Sequence, residues 1–179
     1  MTQIGANYAQ ALYSLARDEG FDSQILSQLQ TLDQSFAAEP DFLRLLAAPS
    51  LSKDERVRII DESFRDKVHP YVLNFLKLLT EKGYARQFPA CAKAYKALHN
   101  SDNGIVEVRA VTAVELTAPQ KEKLLEKLQT LTGKQVELQT QVDTACMGGI
   151  RLDYDGKRVD GTVKNRLDSI GALLKNTVL

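Results

Sequence analysis

Reactive side chains are scarce in this sequence and widely scattered. It has 2 cysteines, Cys91 and Cys146, far apart and outside any CxxC pair, which excludes a disulfide framework and fits a reducing compartment. Its 2 histidines, His69 and His99, fall in different helical segments, neither beside a Ser or Cys in a nucleophile setting. His69, directly before Pro70, reads as a helix-start residue. No Walker loop or dinucleotide fingerprint occurs: Gly148-Gly149 precedes a strand pattern, whereas phosphate-cradling glycines follow a strand and open a helix. Excess charge is also missing. Residues 1–104 carry 12 basic and 13 acidic groups, and residues 105–179 carry 11 and 10. Neither part has the positive surplus that neutralising phosphates requires, so nucleic acid is a poor partner. No basic flank followed by an apolar stretch opens the chain, and no run approaches the ~20 apolar residues that span a bilayer. Membrane association is therefore expected only through partner proteins.

What the sequence does contain is material for a folded core: 44% hydrophobic and 26% charged residues, within the ordinary globular range. Up to about residue 100 the apolar period is helical. Ile4, Tyr8, Ala11, Leu12 and Leu15 form a first stripe. Ile25, Leu29, Leu32 and Phe36 form a second, which can start with Asp22 as N-cap and must stop before Pro40. A short segment from Asp41 to Ala47 is closed by Pro49. Ser52-Lys-Asp-Glu55 is a capping box, each side chain satisfying an orphan backbone N–H, with Val57, Ile60 and Phe64 following on one face. Pro70 suits the first turn of a fifth helix that ends at Gly83, and a sixth runs from about Ala85 to Leu98, carrying Phe88, Ala92 and Tyr95 inward. Short connections between six helices predict an antiparallel bundle.

Asn100-Ser-Asp-Asn-Gly104 is a dense polar turn cluster, and the period changes directly after it, which puts a domain boundary there. Val106, Val108 and Ala110 alternate with polar residues as a half-buried strand does. Thr117 to Gln120 opens a helix with Leu124, Leu125, Leu128 and Leu131 that stops at Gly133. Val136, Leu138 and Val142 make a second strand, and Ile150, Leu152 and Tyr154 a third. Asp155-Gly156 signals a hairpin into Lys157 to Asp160, and a last helix from about Thr162 presents Val163, Leu167, Ile170 and Leu174. The predicted class is mainly α: a six-helix bundle over 1–104, followed by a small α+β domain over 105–179 built from one β-α-β crossover, a hairpin and a helix.

Two features invite a chemical reading and do not sustain it. Asp153, Asp155 and Asp160 mimic the opening of a calcium loop, but Arg158 stands at its required Gly and Lys164 at its bidentate Glu. Cys146 beside Met147 is read as a small packed hydrophobe next to a strand. No catalytic residue, metal or cofactor is expected.

The fifth helix, PYVLNFLKLLTEKG, is the informative anomaly. Tyr71, Val72, Leu73, Phe75, Leu76, Leu78 and Leu79 sweep about 220° of its circumference, against the roughly 100° stripe of a surface helix. Either its own chain surrounds it, or one flank centred on Leu78 stays open for a partner's amphipathic helix. Tyr8, Leu12 and Leu15 on the first helix pose the same alternative, and pattern alone does not decide between them.

NYAQALYSLA at 7–16, NFLKLLTEKGY at 74–84 and VDTACMGGIRLDYDGKRVDGTVKNRLDSI at 142–170 together resemble the delta subunit of F-type ATP synthases, the equivalent of the mitochondrial oligomycin-sensitivity-conferring protein. The last run is the specific one, joining a small-residue pair, an alternating strand, a turn, a DG(T/S)V step and an Arg-containing helix. Tyr84 departs from the pattern, standing where a basic residue is expected. The resemblance implies a non-enzymatic stator subunit, linking the catalytic head to the peripheral stalk on the cytoplasmic face of the bacterial inner membrane. It implies that a groove between the first and fifth helices takes the N-terminal helix of an alpha subunit, with Tyr8, Leu12, Leu15, Phe75, Leu78 and Leu79 as candidates. It also implies that the second domain binds the b subunits of the stalk. Gly149 is the candidate backbone-critical site there, since glycine at a strand start allows an approach that a Cβ would block. A helical RNA-binding regulator is the main rival, and a small metal-dependent hydrolase resting on the acids near 153–160 is a third.

Overall fold

In the computed structural model, residues 3–48, 51–154 and 156–167 are described. Pro49, Asp155, Ile170 and Leu174, named in the expectations above, lie outside them. Packing divides the chain into two units, Met1–Asp102 and Asn103–Leu179.

The first unit contains α1 (Gln3–Asp18), α2 (Asp22–Ala38), α3 (Pro40–Leu46), α4 (Lys53–Phe64), α5 (Pro70–Glu81) and α6 (Phe88–Asp102), with a turn of 3₁₀ helix at Ala85–Gln87 ahead of α6. Local chemistry sets most of these ends. Ser52 caps α4 through a complete capping box with Glu55, and His69 caps α5 by accepting the Tyr71 N–H at its ring nitrogen. Gly83 follows the last residues of α5 at φ +76°, the left-handed conformation that frees a chain to leave a helix.

One core serves these helices. Ile25, Leu29, Leu32 and Phe36 of α2 are all buried, and Phe36 gathers Phe42, Phe64 and Phe88 around its ring at centroid distances of 5.6, 6.1 and 5.0 Å. Tyr95, with no exposed surface, packs edge-on against Tyr13 and donates its hydroxyl to the carbonyl of Asp22.

Two details depart from the sequence reading. Asp22 is the first residue of α2 and not its cap; Phe21 holds that place, and the Asp22 carboxylate instead lies 3.2 Å from His99 Nε2. The polar run at Asn100 is not yet a turn. α6 continues to Asp102 because Asn100 is buried and Asp102 accepts hydrogen bonds from Tyr13 and Arg17, tertiary partners that local composition does not reveal.

The second unit is a four-stranded sheet in the order β2-β1-β3-β4, formed by β1 (Ile105–Thr112), β2 (Gln135–Val142), β3 (Ile150–Tyr154) and β4 (Lys157–Asp160). β1 and β2 are parallel and joined by α7 (Ala118–Thr132); β3 runs antiparallel to β1 and pairs with β4, Tyr154 opposite Lys157, with Gly156 at φ +71° ahead of β4. Cross-strand register puts Val108, Leu138 and Tyr154 on one face. Leu131 and Val142, expected on buried stripes, are 83% and 51% exposed. Leu131 is in the last turn of α7 and Val142 ends an edge strand, so neither is enclosed by the unit. Residues 163–167 begin a helix after Thr162, whose hydroxyl accepts the Asn165 N–H.

Candidate partner-binding site

α1 and α5 pack side by side and antiparallel. The end of α1 meets the start of α5 where the Tyr71 hydroxyl donates to the Glu19 carboxylate at 2.5 Å. At the other end Tyr8 meets Tyr84, just past α5, edge to face with ring centroids 6.1 Å apart. Tyr84 therefore closes the junction with an aromatic edge. The Glu19 carboxylate raises the Tyr71 phenol above its ordinary range, chiefly through that hydrogen bond.

Helical geometry places the side chains between these two ties. At about 100° per residue, Ile4, Tyr8, Ala11 and Leu15 form one row on α1, and Tyr71, Phe75, Leu78 and Lys82 form the facing row on α5. Leu15 is 44% exposed and Leu78 40% exposed, each a large apolar group left in water. Ile4 and Ala11 are also exposed and Tyr8 is half-buried. Leu12, Phe75 and Leu79 are in the core, so of the six residues expected to line this site only Leu15, Leu78 and the edge of Tyr8 are at its surface. Most of the wide apolar arc of α5 is covered by the chain's own helices, which bury Val72, Leu73, Phe75, Leu76 and Leu79. Leu78 is the part left over.

The other flank of α5 is different in character. A cleft against α4 is lined by Lys53, Asp54, Val57, Arg58, Asp61, Lys77 and Glu81, and Asp61 there pairs with both Arg65 and Lys77. It is a surface rich in charged side chains, with Asp61 as the shared partner of two cations.

In the second unit, Gly149 sits at φ +78°, and a Cβ on it would lie 2.5 Å from the carbonyl oxygen of Gly161 and 3.0 Å from Thr162 Cα. The strand approach that glycine permits is thus present as a physical contact. Beside it Met147 is 68% exposed, and Val163 and Leu167, one helical turn apart, are 43% and 54% exposed. Cys146 is buried.

Other clusters that might carry chemistry are structurally occupied. Arg158 Nε donates to Asp153 at 2.6 Å and holds its carboxyl below the ordinary carboxylate range; Asp160 is lowered likewise by the Thr162 hydroxyl and N–H. The fold brings Ser23, His99 and Asp22 together, an association the sequence did not suggest. Both Ser23 Oγ and the Asp22 carboxylate lie 3.2 Å from the same ring nitrogen, Nε2, so the acid is not placed to orient the ring for a serine on its far side. The group ties the start of α2 to the end of α6.

A model of the ATP synthase delta (OSCP) subunit family matches residues 4–174. The chain is 34% identical to ATP synthase subunit delta of Alkaliphilus oremlandii, over 92% of its own length and 91% of that protein. It is 30% identical to the same subunit of Synechococcus elongatus, covering 97% of both. Its fold also resembles a chain in the Toxoplasma gondii mitochondrial ATP synthase hexamer, with a TM-score of 0.78 at 18% identity over 97% of this chain and 98% of that one.

Proposed function

Because the chain belongs to the ATP synthase delta (OSCP) subunit family, and is thereby a peripheral-stalk subunit of that complex, we propose that it works as a passive clamp with one docking surface in each unit. The α1–α5 junction of the helical unit takes the N-terminal amphipathic helix of an alpha subunit, and the second unit takes the ends of the b subunits near Gly149. In this reading the first unit is a six-helix bundle over about 1–104, and the α+β domain over 105–179 carries the stalk contact. The chain is non-catalytic and sits on the cytoplasmic face of the membrane through its partners. No helix among the described residues is long and apolar enough to cross a membrane. The RNA-regulator alternative finds no support in the family that matches.

The carrying observation is the pair of exposed leucines, Leu15 and Leu78, on adjacent antiparallel helices tied together at both ends. Apolar anchors of this kind, when desolvated by a partner helix, lower the dissociation rate more than they raise the association rate. Slow release is what the task demands. Proton flow turns the rotor, and unless the catalytic head is tied to the membrane-fixed stalk the head turns with it and no conformational work is done. An interface of about 800 Å² per partner with a few large anchors is enough. Calorimetric titration of the full chain with an alpha-subunit N-terminal peptide tests this: binding that Leu78→Asp abolishes is expected, and undiminished affinity in that variant removes Leu78 from the site.

A further inference from the structure

Resting on that reading of the α1–α5 junction, we infer that the surface is electrically polar along its length and fixes which way round a docked helix lies, with the helix's basic end beside Asp18 and Glu19 and its acidic end beside Lys82. From Gln3 to Ala16, α1 carries no charged side chain. Its exposed row then runs straight into Asp18, with Glu19 next to it, both exposed. On α5 the facing row begins at Tyr71 and ends at exposed Lys82, with no charge of its own between.

Three neighbouring charges are directed elsewhere. Arg17, beside the acidic pair, turns to α6 and bonds Asp102 at 2.5 Å. Lys77 turns to α4 and pairs with Asp61, and Glu81 lines the α4–α5 cleft rather than the α1 side. Exposed Arg86, in the turn after α5, adds positive charge near Lys82. Because α1 and α5 are antiparallel, the acidic pair and Lys82 stand at opposite ends of the junction. Eleven residues at ~1.5 Å each separate Tyr71 from Lys82, roughly 16 Å, about twice the ~8 Å screening length at physiological salt. The two ends therefore act independently on a ligand. A helix with a lysine at one end and a glutamate at the other gains at both ends in one orientation and is repelled at both in the other. Exposed pairs of this strength favour the first orientation about tenfold.

The test uses the full chain labelled with nitrogen-15 and an 18-residue amphipathic peptide bearing Lys at one end, Glu at the other and a nitroxide at the Lys end. Expected is paramagnetic broadening strongest at the amides of residues 18–20 and weakest at those near Lys82. In the Asp18→Lys, Glu19→Lys, Lys82→Glu, Arg86→Glu variant, in which the charge at each end is reversed, the strongest broadening should move to the Lys82 end. Equal broadening at both ends in the unaltered chain, or a pattern the charge-reversed variant leaves in place, overturns the polarity while leaving helix docking intact. Absence of any peptide-induced shift around Leu15 and Leu78 would overturn the docking reading itself.

Discussion

Gly149 and Gly161 approach so closely that a Cβ on the first would stand 2.5 Å from the carbonyl oxygen of the second. The contact is backbone against backbone, flanked by hydrogen bonds from Gly161 N to Ile150 O and from Val163 N to Gly148 O, both 3.0 Å. No side chain can rotate aside to relieve it, and the φ of +78° is itself costly for any residue with a Cβ.

Gly149→Ala is accordingly expected to weaken the second unit by about 1–3 kcal/mol, and Gly149→Asp to do no worse than slightly more. Amide hydrogen exchange checks this, with faster exchange in β3 and residues 163–167 and unchanged protection in α2 and α6. A neutral Ala with a damaging Asp would show that charge, not the backbone, is the sensitive property. Loss of attachment to the b subunits in both variants, with alpha-peptide binding kept, is the functional counterpart.

Adjacent leucines on α5 should separate stability from binding. Leu79 is 1% exposed, so Leu79→Ala leaves a cavity and is expected to cost about 2–5 kcal/mol in urea unfolding. Leu78, 40% exposed, has less to lose: Leu78→Asp should cost about 1 kcal/mol, from its covered part and the poorer helix propensity of Asp, while removing the alpha peptide. If Leu78→Asp unfolds the chain as readily as Leu79→Ala, Leu78 is a core residue.

This division shows what could be read from the sequence. The capping box at Ser52 and Glu55 and the stop at Gly83 follow from local spacing, because the partners involved are within a few residues; the crossover through α7 follows from the order strand, helix, strand, although β1 and β2 pair across the whole length of that helix. The width of the apolar arc on α5 was also plain. Leu78 could be marked as the centre of the flank open to a partner in one of two readings, but whether its own chain covers it, and that Phe75 and Leu79 beside it are buried, depends on where α1, α2 and α4 lie around it. Leu131 fits a helical stripe as well as Leu128 does, yet one is exposed and the other buried, because the second unit covers only part of that helix. Glu19 with Tyr71, and Tyr8 with Tyr84, lie too far apart in the chain for any local signal. Extending the Ile4 and Tyr71 rows to their ends would have found Asp18 and Lys82.

Cys91 offers a probe of whether α6 opens. Its thiol is 1% exposed, and burial pushes its pKa up to about 11, so at pH 8 only about one molecule in a thousand carries the reactive thiolate. In a Cys146→Ser background, alkylation by iodoacetamide should be slower than that of the guanidinium-unfolded chain by a hundredfold or more, on the order of the lost thiolate. Equal rates would mean that α6 detaches locally.

Acid should loosen the hairpin of the second unit, and Asp160 is the group to watch. Its Oδ1 accepts from the Thr162 hydroxyl at 2.7 Å and from the Thr162 N–H at 3.0 Å, and these bonds, the hydroxyl first, lower its pKa. A carboxyl whose folded pKa lies below its unfolded value of about 4 stabilises the fold fully above that value, and the stabilisation is lost as pH falls through the folded pKa. Asp153 works in the same direction, held down by Arg158. The same loop sets the start of the helix at 163–167, because Thr162 accepts the Asn165 N–H while the Asp160 carbonyl accepts from the Asn165 side chain. Protonating Asp160 therefore disturbs the turn and the helix start together. Asp160→Asn keeps an acceptor oxygen but no titration, so the fall in amide protection of β4 and residues 163–167 between pH 5 and 3 should be shallower in the variant, as on the order of one proton is no longer taken up. An identical pH profile in the two proteins would assign the acid loss to Asp153 and its arginine.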